Sequence, residues 1–200
     1  MCSLPRDAHM VAADAQAQLY VRPERSGPRG ELLWPEAFGC VFGHRRTYSL
    51  GEISLGGTPE GGKGIELETL GGSFVAYEYT LFSQGFKESL VIVRSLLNGH
   101  IIHRVPSGPS RLPKSVGAGP LTTLVVKGDG AVAWIVESGR EEASAANHFV
   151  SHSEYTIFAL DKTGTRQLAA GKNIDPYSLG LVGSTLYWTQ GVEPGSAVLN

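Results

Sequence analysis

The side chains best suited to chemistry in this chain are its histidines and one arginine pair. His148 and His152 stand four apart, a spacing that aligns two imidazoles on one helical face. Glu141, Glu142 and Glu154 are near enough in sequence to complete a zinc set. There is no His-Glu-x-x-His pattern, so the expectation is for solvated loop histidines and no metal. His100 and His103 are three apart on a strand-like run and face opposite sides of a sheet. Arg45 and Arg46 lie beside Tyr48, an arrangement suited to an anion or an acidic sugar. The candidate ligand-binding residues are therefore Arg45, Arg46, Tyr48, His148 and His152. The plain alternative for the first three is a solvated hairpin tip.

The run Gly57-Thr58-Pro59-Glu60-Gly61-Gly62-Lys63-Gly64 nearly matches a phosphate-binding loop. Gly64 replaces the Ser or Thr that would hold magnesium, and a strand-like run follows where a helix N-terminus is needed. It reads as a loop, and no cofactor is expected. Glu66, Glu68, Glu78, Glu137, Asp161 and Asp175 alternate with apolar residues, as outward strand positions do. A sugar-cleaving carboxylate pair would come from distant segments, and nothing selects one pair.

The elements that must position these residues are repeated hairpins. Lys127–Ser138 contains the turn Gly128-Asp129-Gly130, followed by Ala131-Val132-Ala133-Trp134-Ile135-Val136. Glycine takes φ > 0 without penalty, and six β-branched and apolar residues suit a buried strand. The same pattern occurs at Gly71–Tyr77 and at Gly183–Trp188. Each has a glycine turn, alternating apolar residues and a large aromatic. Tyr77, Trp134 and Trp188 are 57 and then 54 residues apart. A period in that range signals one supersecondary unit repeated.

Taken in order, residues 1–18 are expected to form a short helix or stay unordered, with Leu19-Tyr20-Val21 as a first strand. Residues 1–37 are read as an N-terminal extension and 38–200 as one repeat domain. Its units fall at about 38–51, 65–106, 121–171 and 174–200. Asn98-Gly99 closes one hairpin and Lys162-Thr163-Gly164 another. Glu52–Gly64 and Ser107–Pro120 read as loops, and Gly139–Glu154 as a long connection with a short helix over Glu141–Asn147. The strand count is two, four, four and three, and four antiparallel strands make a propeller blade. The fold class is all-β, a propeller-like array of about three blades.

The segments VIVRSLLNGHIIHRV, TIFALDKTGTRQLAAG and IDPYSLGLVGSTLYWTQG resemble those of uncharacterised bacterial β-propeller-like proteins, broadly of the TolB or Trp-Asp-repeat kind. The resemblance covers roughly Phe38 to Asn200 and implies an exported protein with no assigned chemistry. Too few strands are present for a six- or seven-bladed ring. The two strands over 38–51 would complete the last unit, or the sheets would form an open stack. Two copies sharing one ring are the remaining arrangement.

A net charge of −2 gives no electrostatic case for nucleic acid or an anionic membrane. No apolar run approaches the ~18–20 residues that span a bilayer. With 26 glycines and 11 prolines the composition is turn-rich. A Cys2–Cys40 disulfide would need an oxidising compartment, and the loose terminus around Cys2 weighs against it. Charged residues interrupt any leader in Met1–Ala17, although Ala15-Gln16-Ala17 resembles the end of a cleavage site. One hypothesis is a lost or mis-assigned leader. The expected function is a non-catalytic binding or scaffold module, exported, with a protein or carbohydrate partner. A homodimer completing a ring is among the expected partners. The rival is a hydrolase with acids on Glu52–Gly64 and Gly139–Glu154.

Overall fold

The computed structural model describes residues 2–27, 32–53, 62–83, 86–108, 120–143 and 149–200. Every regular element among them is a strand. The first sheet holds β1 (His9–Ala13), β2 (Ala17–Arg22), β5 (Glu36–Val41) and β6 (Thr47–Glu52) in that order. A small ribbon of β3 (Arg25–Ser26) and β4 (Leu32–Leu33) interrupts it between β2 and β5. The second sheet holds β7 (Gly62–Gly71), β8 (Phe74–Ser83), β9 (Phe86–Ser95) and β10 (Ile101–Pro106). The third holds β11 (Leu121–Val126), β12 (Val132–Ala143), β13 (Phe149–Asp161) and β14 (Gly164–Gly171). The fourth has three strands, β15 (Gly180–Val182), β16 (Thr185–Gln190) and β17 (Glu193–Val198). Each sheet is an antiparallel meander.

The turn glycines act as their positions demand. Gly72, Gly130 and Gly183 open the second strands of three sheets with φ of 61°, 91° and 59°, conformations that cost other residues strain. Between strands, alternation sends neighbouring side chains to opposite faces. Val75 and Tyr77 pack on the first sheet, while Ala76 between them packs on the third. Val132, Trp134 and Val136 face the second sheet, and Ala133 and Ile135 face the fourth. Three cores therefore lie between four sheets stacked in chain order. Among the described residues, no core cluster joins the first sheet to the fourth.

Several expectations are corrected here. Residues 9–13 form β1, not a helix, because their backbone pairs with β2. The strands over 36–52 pair with β2 and with each other, so they complete the first sheet and leave the fourth with three strands. Of the helix expected over 141–147, Glu141–Ala143 belong instead to β12 and pair with 149–151, and 144–147 lie outside the described residues. Ala15–Ala17 lies at the β1–β2 turn, with Ala17 wholly buried. Cys2 and Cys40 are joined as a disulfide, so the N-terminal residues are tied down after all. Glu78 and Asp161 are buried, not outward, for reasons given below.

Tyr20 extends the aromatic series backward. It lies on β2, 57 residues before Tyr77, so the second strand of each of the four stacked sheets carries an aromatic of the series. Cross-strand pairing continues each into a row. The first sheet reads Met10, Tyr20, Phe38, Ser49. The second reads Glu68, Tyr77, Ile92, Arg104. The third reads Leu124, Trp134, Phe158, Gln167. The fourth has Trp188 and Gly195, and no fourth strand among the described residues.

Candidate functional site

Of the residues expected to bind a ligand, the structure describes Arg45, Arg46 and Tyr48 with their side chains and His152 by its backbone. Arg45 and Arg46 are exposed at the β5–β6 turn. Tyr48 turns away from them: its hydroxyl donates to the Leu97 carbonyl at 3.2 Å. Its ring lies so close to Gly99 that a Cβ there would overlap it. Tyr48 thus fastens the first sheet to the β9–β10 turn. His148 lies outside the described residues, and His152 stands on β13 opposite Arg140. Most of the glycine loop Gly57–Gly64 and part of the connection 139–154 also lie outside them. Among the described residues, no three His, Cys, Asp or Glu side chains gather as metal ligands.

The best-formed cavity, about 670 Å³, opens beside His103, Lys127, Asp129, Asp161, Lys162 and the last residues of the chain. Its charges are turned to structural ends. Asp161 begins the β13–β14 turn and accepts from the backbone N–H of Thr163 at 2.9 Å and from its hydroxyl at 2.6 Å. It also accepts from Arg166 at 2.7 Å and from the Asn200 N–H at 2.9 Å. Burial alone would raise its pKa, but these donors outweigh that and hold the carboxyl well below the usual range. Arg166 donates in addition to the Val198 carbonyl, and Lys127 to the Leu199 carbonyl at 3.1 Å. Residues 198–200 are clasped against the third sheet. The sequence carried a partial signal for this, since Asp-x-Thr-Gly favours a turn in which the carboxylate bonds the backbone two residues on.

Glu78 is the other buried acid. It faces the third sheet, where it accepts from the Ser89 hydroxyl and from the Leu121 N–H at 3.4 Å. Nearby, Trp134 donates its indole N–H to the Ser107 carbonyl at 2.7 Å. The Leu121 and Trp134 bonds join the second and third sheets, and the Ser89 bond lies within the second. They are of the kind that buried polar groups require.

The fourth sheet differs from the rest. The Leu199 N–H donates to the Ser184 carbonyl, which sets the alternation along β17. Ala197, Gly195 and Glu193 then bond to β16, and the backbone groups of Val198, Ser196 and Pro194 point outward. The Val198 carbonyl takes the Arg166 bond. No strand among the described residues pairs with the remainder. Beside the start of β17 a groove of about 590 Å³ is lined by Asn173, Gln190, Glu193, Pro194 and Gly195. Trp188 lies across Gly195, its ring filling the space a Cβ would take. Only 8% of Trp188 is exposed, and its indole nitrogen is buried without a hydrogen-bond partner. The outer face of the sheet carries Val182, Tyr187 and Val198, which are 71%, 47% and 54% exposed. The sequence did not locate this edge and face; the signal available was the count of three strands in the unit 174–200.

Compared with known proteins, the chain matches no family model and no curated protein.

Proposed function

We propose that this chain is a non-catalytic binding or scaffold module, a propeller-like array whose fourth sheet is the docking side for a protein partner. The observation that carries the reading is the contrast within the stack. The faces of the second and third sheets are buried against neighbours, while the fourth leaves Val182, Tyr187 and Val198 in solvent. Apolar and aromatic residues grouped on one sheet face are the mark of a contact surface. The buried carboxylates Glu78 and Asp161 support it too, since their bonds described above hold sheets and chain ends together. The Cys2–Cys40 disulfide supports work in an oxidising compartment, outside a reducing cytosol.

A photo-reactive amino acid placed at position 187, in the protein's native cell, tests this. Cross-linked protein adducts at 187, and none at the exposed Lys162 on the third sheet, are the expected result. Adducts at 162 with none at 187 would remove the fourth sheet as docking side. Catalytic turnover abolished by Glu78→Gln in a correctly folded variant would replace the module reading with an enzyme.

A further inference from the structure

The outward edge of β17 ends in donors and acceptors that three other sheets of the same molecule satisfy with a fourth strand. We infer that this edge receives an extended segment of a different polypeptide, laid antiparallel to β17, with a polar side chain opposite Gly195. The inference rests on the module reading above and names its partner's chemistry. Strand addition gives affinity through main-chain hydrogen bonds and specificity through alternate side chains.

Two independent observations define the occupant. First, the residue of the fourth strand that completes each aromatic row is Ser49, Arg104 or Gln167, polar in every case. Second, the row in the fourth sheet stops at Gly195, where the Trp188 indole N–H is buried and unpartnered. A buried donor without an acceptor is destabilising. Gly195, having no side chain, lets the indole lie across β17 toward the open edge. A side chain on the arriving strand, opposite Gly195, would continue the Trp188 row on the same face of the sheet. The groove beside Asn173 and Gln190 leaves room for the strand's end.

A second copy of this chain fits less well. Antiparallel self-pairing of β17 can be centred on Gly195, Ser196 or Ala197, the registers that align at least two outward positions. Those registers place Gly195, Ala197 or Leu199 of the copy opposite Gly195. None brings an acceptor side chain to Trp188. The Arg166 bond at the Val198 carbonyl also shortens the usable edge to Ser196 and Pro194, with the Val198 N–H.

The test uses the full chain and a synthetic peptide copying 163–171, the fourth strand of the third sheet, in which Gln167 would meet Gly195. A second peptide carries leucine in place of that glutamine. At millimolar peptide, the amides of Ser196 and Val198 should exchange about tenfold more slowly. The Trp188 indole proton should move downfield while those of Trp34 and Trp134 stay put. The leucine peptide should bind about fivefold more weakly. Ser196→Pro removes an outward N–H without touching the β16 pairing, and should abolish the peptide's effect with near-UV dichroism unchanged. No protection by the glutamine peptide would overturn the inference. So would slow Ser196 exchange in the peptide-free monomer, which would mean that the chain's own residues fill the edge. Protection that rises with protein concentration alongside a dimer mass in light scattering would assign the edge to a second copy. Each of those failures leaves the cross-linking test at position 187 free to stand or fall by itself.

Discussion

The first and fourth sheets sit at opposite ends of one stack, yet one end is capped and the other is open. On the first sheet, the outward face carries Tyr20, which is 3% exposed. Its ring stacks on Phe38 at 5.5 Å, and the Arg22 guanidinium lies over Phe38 at 5.1 Å. Cys40 on the same face is bonded to Cys2, which ties the N-terminal residues to it. On the fourth sheet, nothing comparable among the described residues covers Tyr187, Val182 or Val198. A stack of sheets always leaves two terminal faces and the edges of its strands, and each must be capped, charged or used. This molecule caps one end with a covalent tie and leaves the other available.

Breaking the capped end should have the largest effect. Cys2→Ser opens a link between residues 38 apart in sequence, which by loop-closure entropy costs about 3–4 kcal/mol. Urea denaturation should show that loss, with amide exchange on β17 unaltered in the native state. A change confined to β17 would mean the two ends are not independent.

The tie that holds the chain's last residues comes next. Asp161→Asn weakens the bonds from Arg166 and the Asn200 N–H and should cost about 2–3 kcal/mol. The pH dependence follows from the same residue. Its folded pKa is depressed, so its contribution is complete above the unfolded carboxylate value of about 4 and is lost as pH falls below that. Acid titration of unfolding should be shallower below pH ~4 in the asparagine variant than in the parent. Equal slopes would deny Asp161 this role.

A smaller effect sharpens the comparison at the open end. Gly195→Ala pushes a methyl group into the Trp188 ring and should cost about 1–2 kcal/mol, with a shift in Trp188 fluorescence. The smallest belongs to the exposed face. Tyr187→Ser should change stability by less than about 0.5 kcal/mol, because the side chain is already 47% exposed. A large loss there would mean the face is covered in solution.

Much of the architecture was legible before any coordinates. The turn glycines, the two-residue alternation and the aromatic spacing located β7 to β17, although the far halves of β12 and β13 fell in the stretch Gly139–Glu154 read as a connection and most of β17 was missed. Each of those signals is local: a positive φ or a strand's period is settled by a few neighbouring residues. At 9–13 and 141–143, where a helix was among the expectations, the composition was weak and pairing with another strand decided the conformation. Residues such as Glu78 looked like ordinary outward positions, since a strand between two sheets has no outward face. The candidate site was hardly legible at all. Arg45, Arg46 and Tyr48 are neighbours in sequence, but Tyr48 bonds across to Leu97.

What the amino-acid order determined by itself was a series of antiparallel hairpins, each with an aromatic on its second strand. What only the tertiary structure decided was membership and exposure: which strands fill the first sheet, which acids are buried, which cysteines meet and which edge stays open. The physical reason is range. Strand formation depends on the alternation and turn chemistry of adjacent residues, whereas an edge is open or filled according to which distant segment pairs with it, and β5, with β6 beside it, found its partner in β2 rather than in β17.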